Sequence, residues 1–446
     1  MKENTYTLWK YLLRPVSHFF AGKYAATLLL LLATLLALVW ANSPYSESYS
    51  QLWDTHIVIG FGEFQAVDTL GHFINDGLMV IFFFVVGLEI KREFLVGELS
   101  SPQKAVLPIV AALGGMLAPA LFYAVINQGG PGTHGWGIPM ATDIAFSLGC
   151  LLALGNRVPL ALKVFLLALA IVDDIGAILV IALFYTEEIN IISMMVGGFI
   201  IFLSVVLNRS GVRKTFPYGL LGIALWIAFL QSGIHATVAG VLLALTIPAR
   251  VKYDQDRFKN ESQDILANFP ENDFCIMMVD QSQKNMISHL KAAIDNIDTP
   301  LQKLEDALYP LATYFVIPLF ALSNAGIEIA VGADSLNLFT PVTLGVIIGL
   351  MLGKPLGILL CSWLVVKTGF AVLPEEVSWM QLLGVSCLAG IGFTMSLFIA
   401  NLAFADAILL QQAKIGVLIG SSLSAVLGVV ILWIGGRNIP HREPSS

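Results

Sequence analysis

Apolar residues run along this chain in long blocks. They show neither the three-and-four spacing of a surface helix nor the alternation of a half-buried strand. The blocks lie near residues 24–41, 70–90, 105–127, 137–155, 159–185, 190–207, 216–230, 233–248, 309–328, 341–366, 381–403 and 412–436. Most approach the roughly 20 apolar residues that a bilayer-crossing helix needs. The pattern predicts an all-α polytopic membrane protein with about 12 transmembrane helices. A basic arm (Lys2, Lys10, Arg14, Lys23) precedes the first block, which ends Val-Trp-Ala-Asn-Ser-Pro. That length and ending predict a retained helix, not a cleaved signal peptide. Residues Trp53 to Phe64 are too short and polar to span and predict a short β-hairpin or an interfacial piece. A charged segment, about 250–307, separates eight predicted helices (1–249) from four (308–446). It is a solvated connector or a regulatory, surface-docked element, and residues 284–307 within it carry amphipathic helical spacing.

Composition agrees with the pattern. The 446 residues are 57% hydrophobic and only 12% charged, with a mean hydropathy of +0.80. Soluble domains carry roughly 25% charged residues. A net charge of −7 and a pI near 5.5 exclude a nucleic-acid binder. Of the 24 Lys and Arg residues, all but Lys354 and Lys414 fall on one side of a twelve-span threading. Basic residues mark the cytoplasmic side, so both termini are expected there, with Lys414 at the outer mouth of the last span. Cys150, Cys275, Cys361 and Cys387 form no CxxC pair and are expected as small packing residues. No cofactor motif is present.

The informative charges are those inside the blocks. Each costs at least about 2.5–3.5 kcal/mol at a span centre, so each is a functional hypothesis. They are Asp76, Asp143, Asp173, Asp174 and Lys354. Adjacent helical residues point about 100° apart, so Asp173 and Asp174 address one cavity from two angles. Two neighbouring carboxylates in low dielectric cannot both ionise easily. When ionised they are hard oxygen ligands for a small cation. One site then holds protons or a cation in competition, which is antiport chemistry. Asp143 follows a Gly/Pro-interrupted stretch, the pointer to a broken helix whose free carbonyls ligate ions, and Thr142 adds a hydroxyl. The span 381–403 carries Gly, Thr and Ser in the same way, so the two regions are expected to be related repeats. Lys354 either neutralises a carboxylate such as Asp173 or offsets the negative end of a broken helix. Gly349, Gly353 and Gly357 form a face for close helix contact. Glu89, Lys91, Arg92 and Glu93 cluster at the cytoplasmic end of the second span. His235, near the outer end of another, is either structural or titrating.

Four blocks carry a resemblance: Ala141-Thr-Asp-Ile-Ala-Phe-Ser-Leu-Gly, Ala170-Ile-Val-Asp-Asp-Ile-Gly-Ala-Ile, Leu352-Gly-Lys-Pro-Leu-Gly-Ile and Gly390-Ile-Gly-Phe-Thr-Met-Ser-Leu-Phe-Ile. Asn75-Asp-Gly-Leu-Met with Phe83-Phe-Val-Val-Gly-Leu-Glu-Ile-Lys-Arg-Glu adds a fifth. In order and content they resemble the NhaA family of bacterial Na+/H+ antiporters. The resemblance implies an inverted-repeat fold with two broken, crossing helices, a trait already known of that family. It implies electrogenic exchange of Na+ or Li+ for more than one H+, in the lipid of a bacterial inner membrane, serving pH homeostasis and salt tolerance, with no enzymatic activity. Asp173 and Asp174, with Asp143 and Thr142, would bind the ions. Asp143 and Lys354 would balance the helix dipoles. Asp76, Glu89, Arg92, Glu93, His235 and Glu305 would serve pH response or gating, and residues 53–64 would form a homodimer contact. Two departures stand out. Much of 250–300 looks inserted, and Asp306 and Tyr309 stand where relatives have His. The rival expectations are a Na+-coupled solute symporter, which needs a midplane pocket for an organic substrate, and a membrane-embedded hydrolase, which needs a nucleophile with a base.

Overall fold

The computed structural model describes residues 24–61, 64–186, 189–250, 255–267, 281–327, 339–374 and 376–436. The basic arm (Lys2, Lys10, Arg14, Lys23), Cys275, and Arg437 and Arg442 lie outside the described residues. The chain is mostly helical. Helix α1 (Ala25–Ala41) turns through 117° into α2 (Ser46–Trp53). Strands β1 (His56–Phe61) and β2 (Phe64–Thr69) then pair antiparallel, His56 opposite Thr69 and Phe61 opposite Phe64. The strand pair therefore begins after Trp53, which ends a helix, and runs beyond Phe64. Next come α3 (Leu70–Val96) and α4 (Pro102–Ile126). A 3₁₀ helix (Thr133–Met140) leads to α5 (Ile144–Ala153) and α6 (Leu160–Phe184). Helices α7 (Ile191–Arg209), α8 (Thr215–Leu230) and α9 (Ala236–Thr246) follow. The charged segment supplies α10 (Gln255–Ala267) and α11 (Gln281–Ile297). The last part holds α12 (Pro300–Asn324), α13 (Pro341–Lys367), α14 (Trp379–Ala389), α15 (Phe393–Ala403) and α16 (Ala407–Gly435).

Among the described residues, eight stretches are long and apolar enough to cross a membrane, one of them the 3₁₀ helix and α5 together (Thr133–Ala153), and up to ten spans result if the bent pairs α1–α2 and α14–α15 each count once. That is fewer than the expected twelve. The expected seventh and eighth spans form α8 and α9, of 16 and 11 residues. At 1.5 Å per residue, α9 reaches only about 17 Å. Helix α12 starts at Pro300, earlier than expected, because Thr299 and Gln302 form a capping box there. Leu301, Leu304 and Leu308 thus belong to this helix and not to an amphipathic insert. Asp406 caps α16, accepting from Ile408 and Leu409, so Lys414 lies inside that helix and not at its mouth.

Proline shapes the local geometry. The wide turns Ala312–Val316 and Gly349–Gly353 each precede a proline, Pro318 or Pro355, which has no N–H to return to the turn before it. A third wide turn, Ile74–Leu78, carries Asp76. Glycine sets the closest crossing. A Cβ on Gly357 would stand 2.0 Å from the Gly114 carbonyl oxygen, and one on Gly114 would stand 2.3 Å from that of Gly357, so α4 and α13 touch backbone to backbone.

The helices pack as two groups. Helices α4, α6, α13, α14, α15 and α16, with the 3₁₀ helix, pack densely on one another. Helices α1, α3, α8, α9 and α12 pack in a second group, with α7 against α8 and α9. The groups meet along a seam where α3 faces α6 and α12 faces α15. Helices α10 and α11 pack on each other.

Candidate functional site

Two helix breaks cross in the protein interior. Backbone 141–143 is extended between the 3₁₀ helix and α5, and Gly390–Gly392 separates α14 from α15 at a 44° bend. They join directly, the Asp143 N–H donating to the Ile391 carbonyl at 2.6 Å. Each break leaves carbonyls at one helix end and N–H groups at the next start without helical partners. In a membrane interior other groups must satisfy them.

Side chains on three elements do so. Lys354, fully buried, follows the wide turn of α13 and donates from Nζ to the Met140 carbonyl that ends the 3₁₀ helix. Thr142 Oγ1 lies 2.9 Å from the Ala389 carbonyl that ends α14. Asp143 serves both opposing starts. Its Oδ1 accepts from the Phe146 N–H at 3.1 Å, and its Oδ2 accepts from the Thr394 N–H at 3.0 Å and from the Thr394 hydroxyl. A cation thus sits at a carbonyl-rich helix end and an anion across two N–H-rich ends, the arrangement helix dipoles favour.

Helix α6 brings Asp173 and Asp174 to this crossing, 1% and 2% exposed. Asp173 Oδ2 accepts from Lys354 Nζ at 2.6 Å and lies 2.7 Å from Thr142 Oγ1. Asp173 Oδ1 is buried without a hydrogen-bond partner among the described residues. Asp174 lines a cavity of about 170 Å³ with Thr142, Asp143 and Thr394, and the cavity runs to Glu89 and Tyr309. The oxygens gathered here are carboxylate, hydroxyl and carbonyl, which are hard donors suited to a small alkali cation and not to a soft metal.

The remaining expected residues divide between two ends of the seam. At the cavity mouth, Arg92 is paired with Glu305 and lies 3.5 Å from Glu93 and 3.7 Å from Glu89. Lys91 is not part of this cluster, because its Nζ turns to the Leu245 and Ile247 carbonyls. At the opposite end, Asp76 Oδ1 lies 3.3 Å from His235 Nε2 and Asp76 Oδ2 lies 3.0 Å from His72 Nε2. His72 Nδ1 reaches Asp68 at 2.7 Å, and the Trp226 indole donates to the Asp76 carbonyl. Asp76 and His235 are therefore joined to each other and not to the crossing. Sequence reasoning missed Thr394 and His72. The first follows the Gly390/Gly392 break, and the second lies one helical turn before Asp76. Either position was a usable signal.

A family model described as Na+/H+ antiporter 1 matches residues 17–432. The chain belongs to this family. Among Na+/H+ antiporter 1 relatives, the Na(+)/H(+) antiporter NhaA of Oleidesulfovibrio alaskensis is 48% identical over 98% of this chain and 96% of its own. That of Koribacter versatilis is 48% identical over 95% and 92%. These relatives are named as transporters, not enzymes. In fold, the sodium proton antiporter MjNhaP1 of Methanocaldococcus jannaschii is similar, with a TM-score of 0.52 at 12% identity, covering 96% of this chain and 99% of that one.

Proposed function

We propose that this chain exchanges Na+, or Li+, for more than one H+ across a bacterial inner membrane by alternating access. Cation and protons compete for Asp173 and Asp174. The observation that carries this reading is the asymmetry of the pair: Asp173 is held by Lys354, while Asp174, equally buried, faces a cavity that reaches the seam's end at Glu89. A cation entering there meets Asp174 and the oxygens of Thr142, behind which Asp173 lies 2.7 Å from Thr142 Oγ1. Two carboxyl groups give up two protons for one bound charge, so the cycle is electrogenic. Lys354 and Asp143 offset each other's charge at the crossing, so the site is neutral with both carboxyls protonated and carries one net negative charge with Na+ bound. The crossing of two broken elements supports an inverted repeat. The Lys/Arg distribution supports a cytoplasmic Glu89 end and cytoplasmic termini. The Arg92–Glu305 cluster at the cavity mouth supports a pH-responsive gate there, and the free edges of the β1–β2 pair support a homodimer contact. Such exchange serves pH homeostasis and salt tolerance.

Proteoliposomes with an internal pH dye test the reading. Added Na+ moves protons with no organic solute present, and the double variant Asp173→Asn, Asp174→Asn does not. Flux that required an organic solute would instead establish the symporter.

A further inference from the structure

The seam between the two helix groups is open at one end and shut at the other. Towards Glu89 it holds the cavity that reaches Asp174. Beyond the crossing, towards His235, α15 closes it. This helix presents Thr394, Phe398 and Asn401 at i, i+4 and i+7, hence on one face. Thr394 is tied to Asp143. Phe398, fully buried, has its ring centroid 5.4 Å from Phe83, 5.4 Å from His235 and 6.0 Å from Phe320. Those three partners lie on α3, the start of α9 and α12, all in the opposite group. One turn on, the Asn401 amide donates to Asn324 Oδ1 at 2.7 Å. Asn324 is 5% exposed and donates in turn to Asn75 Oδ1 at 2.9 Å.

We infer that Phe398 is the plug of the His235-side gate and that the Asn401–Asn324 amide contact is its lock. The inference rests on the alternating-access reading above. The Phe398, Phe83 and Phe320 rings present no polar atom to a hydrated ion, and the part-buried Asn401–Asn324 contact favours one register of α15 against α12, since leaving it strips Asn324 Oδ1 of the Asn401 amide while Asn324 Nδ2 keeps Asn75 and the Phe320 carbonyl. Opening towards His235 requires α15 to leave α12, which breaks Asn401–Asn324. Asn75–Asn324 joins two helices of one group and need not break. Asn401 and Asn324 are thus positioning residues: they touch no ion and set which face the site opens to.

The test is a sided measurement of the KM for Na+ in membrane vesicles of both orientations, on the full chain. Buried polar contacts in membranes average about 0.6 kcal/mol, a factor of about three. Removing a contact made only in the state closed at His235 shifts the population towards the other state. In Asn401→Ala, the ratio of KM at the His235 face to KM at the Glu89 face should therefore fall about threefold. Asn324→Ala should do the same, and Asn75→Ala should leave the ratio unchanged. Should Asn401→Ala not fold, Asn401→Ser is measured in its place. Loss of rate with an unchanged ratio, or an equal fall in Asn75→Ala, overturns the lock. If the unaltered chain moves no protons with Na+, the exchanger reading fails, a result distinct from an unchanged KM ratio.

Discussion

Lys354 illustrates how far a single side chain is legible in a membrane sequence. A lysine at mid-span demands a partner, and sequence reasoning offered two: a carboxylate or the end of a broken helix. The structure shows that its one ammonium meets both, Asp173 Oδ2 and the Met140 carbonyl. Removing one partner of a buried pair costs about 3–5 kcal/mol. Asp173 can take up a proton, so Lys354→Met should cost about 3 kcal/mol, read by thermal unfolding in detergent. Adding Asp173→Asn to that variant should cost less than the two single changes summed, because neither then strands a charge. Neutral groups were harder to see. Asn324 and Asn401 are 77 residues apart, and Asn324 and Asn75 are 249 apart. An amide carries no periodicity and too little insertion penalty to announce itself. Charge in an apolar block is conspicuous, and polarity without charge is not.

Elements were legible where composition forces the backbone. Gly390 and Gly392 pointed to the interruption of the span 381–403, and the Gly/Pro stretch before Asp143 to the other break. That the two breaks cross was implied by the family resemblance alone, not by spacing, because the Asp143–Ile391 hydrogen bond joins segments from opposite halves of the chain. Sequence reasoning also overestimated α9, which covers only Ala236–Thr246 of the expected 233–248, since apolar run length does not fix helix length where a turn such as the one at Gly233 (φ 80°) intervenes. The Gly349/Gly353/Gly357 face was read for close contact, and Gly357 makes the tightest. Gly357→Leu should separate α4 from α13 and abolish folded yield, measured by size-exclusion chromatography of detergent extracts. Leu356→Ala, on the exposed side of the same helix, should leave yield unchanged. Thr394→Val, which removes one donor to Asp143 but keeps the backbone N–H, should lower melting stability by about 1 kcal/mol.

At the scale of the whole molecule, the apolar pattern showed the class, while the division into two helix groups appears only in three dimensions. The charged segment has one further property. Its flanks meet, the Leu301 N–H donating to the Pro248 carbonyl at 3.2 Å, and α10 and α11 pack on each other. Deleting residues 255–297 should therefore leave the KM for Na+ within about twofold of the full chain, since closing a short surface loop adds little entropy. Flanks that meet also make a docking port. A soluble domain with its own termini close together can be spliced in at this point without prising the membrane helices apart. A protease site carried on such a domain becomes a compass for the whole protein. Cut by added protease in inverted vesicles and spared in right-side-out ones, it would place Pro248, and with it the Arg92 end of the seam, on the inside of the cell.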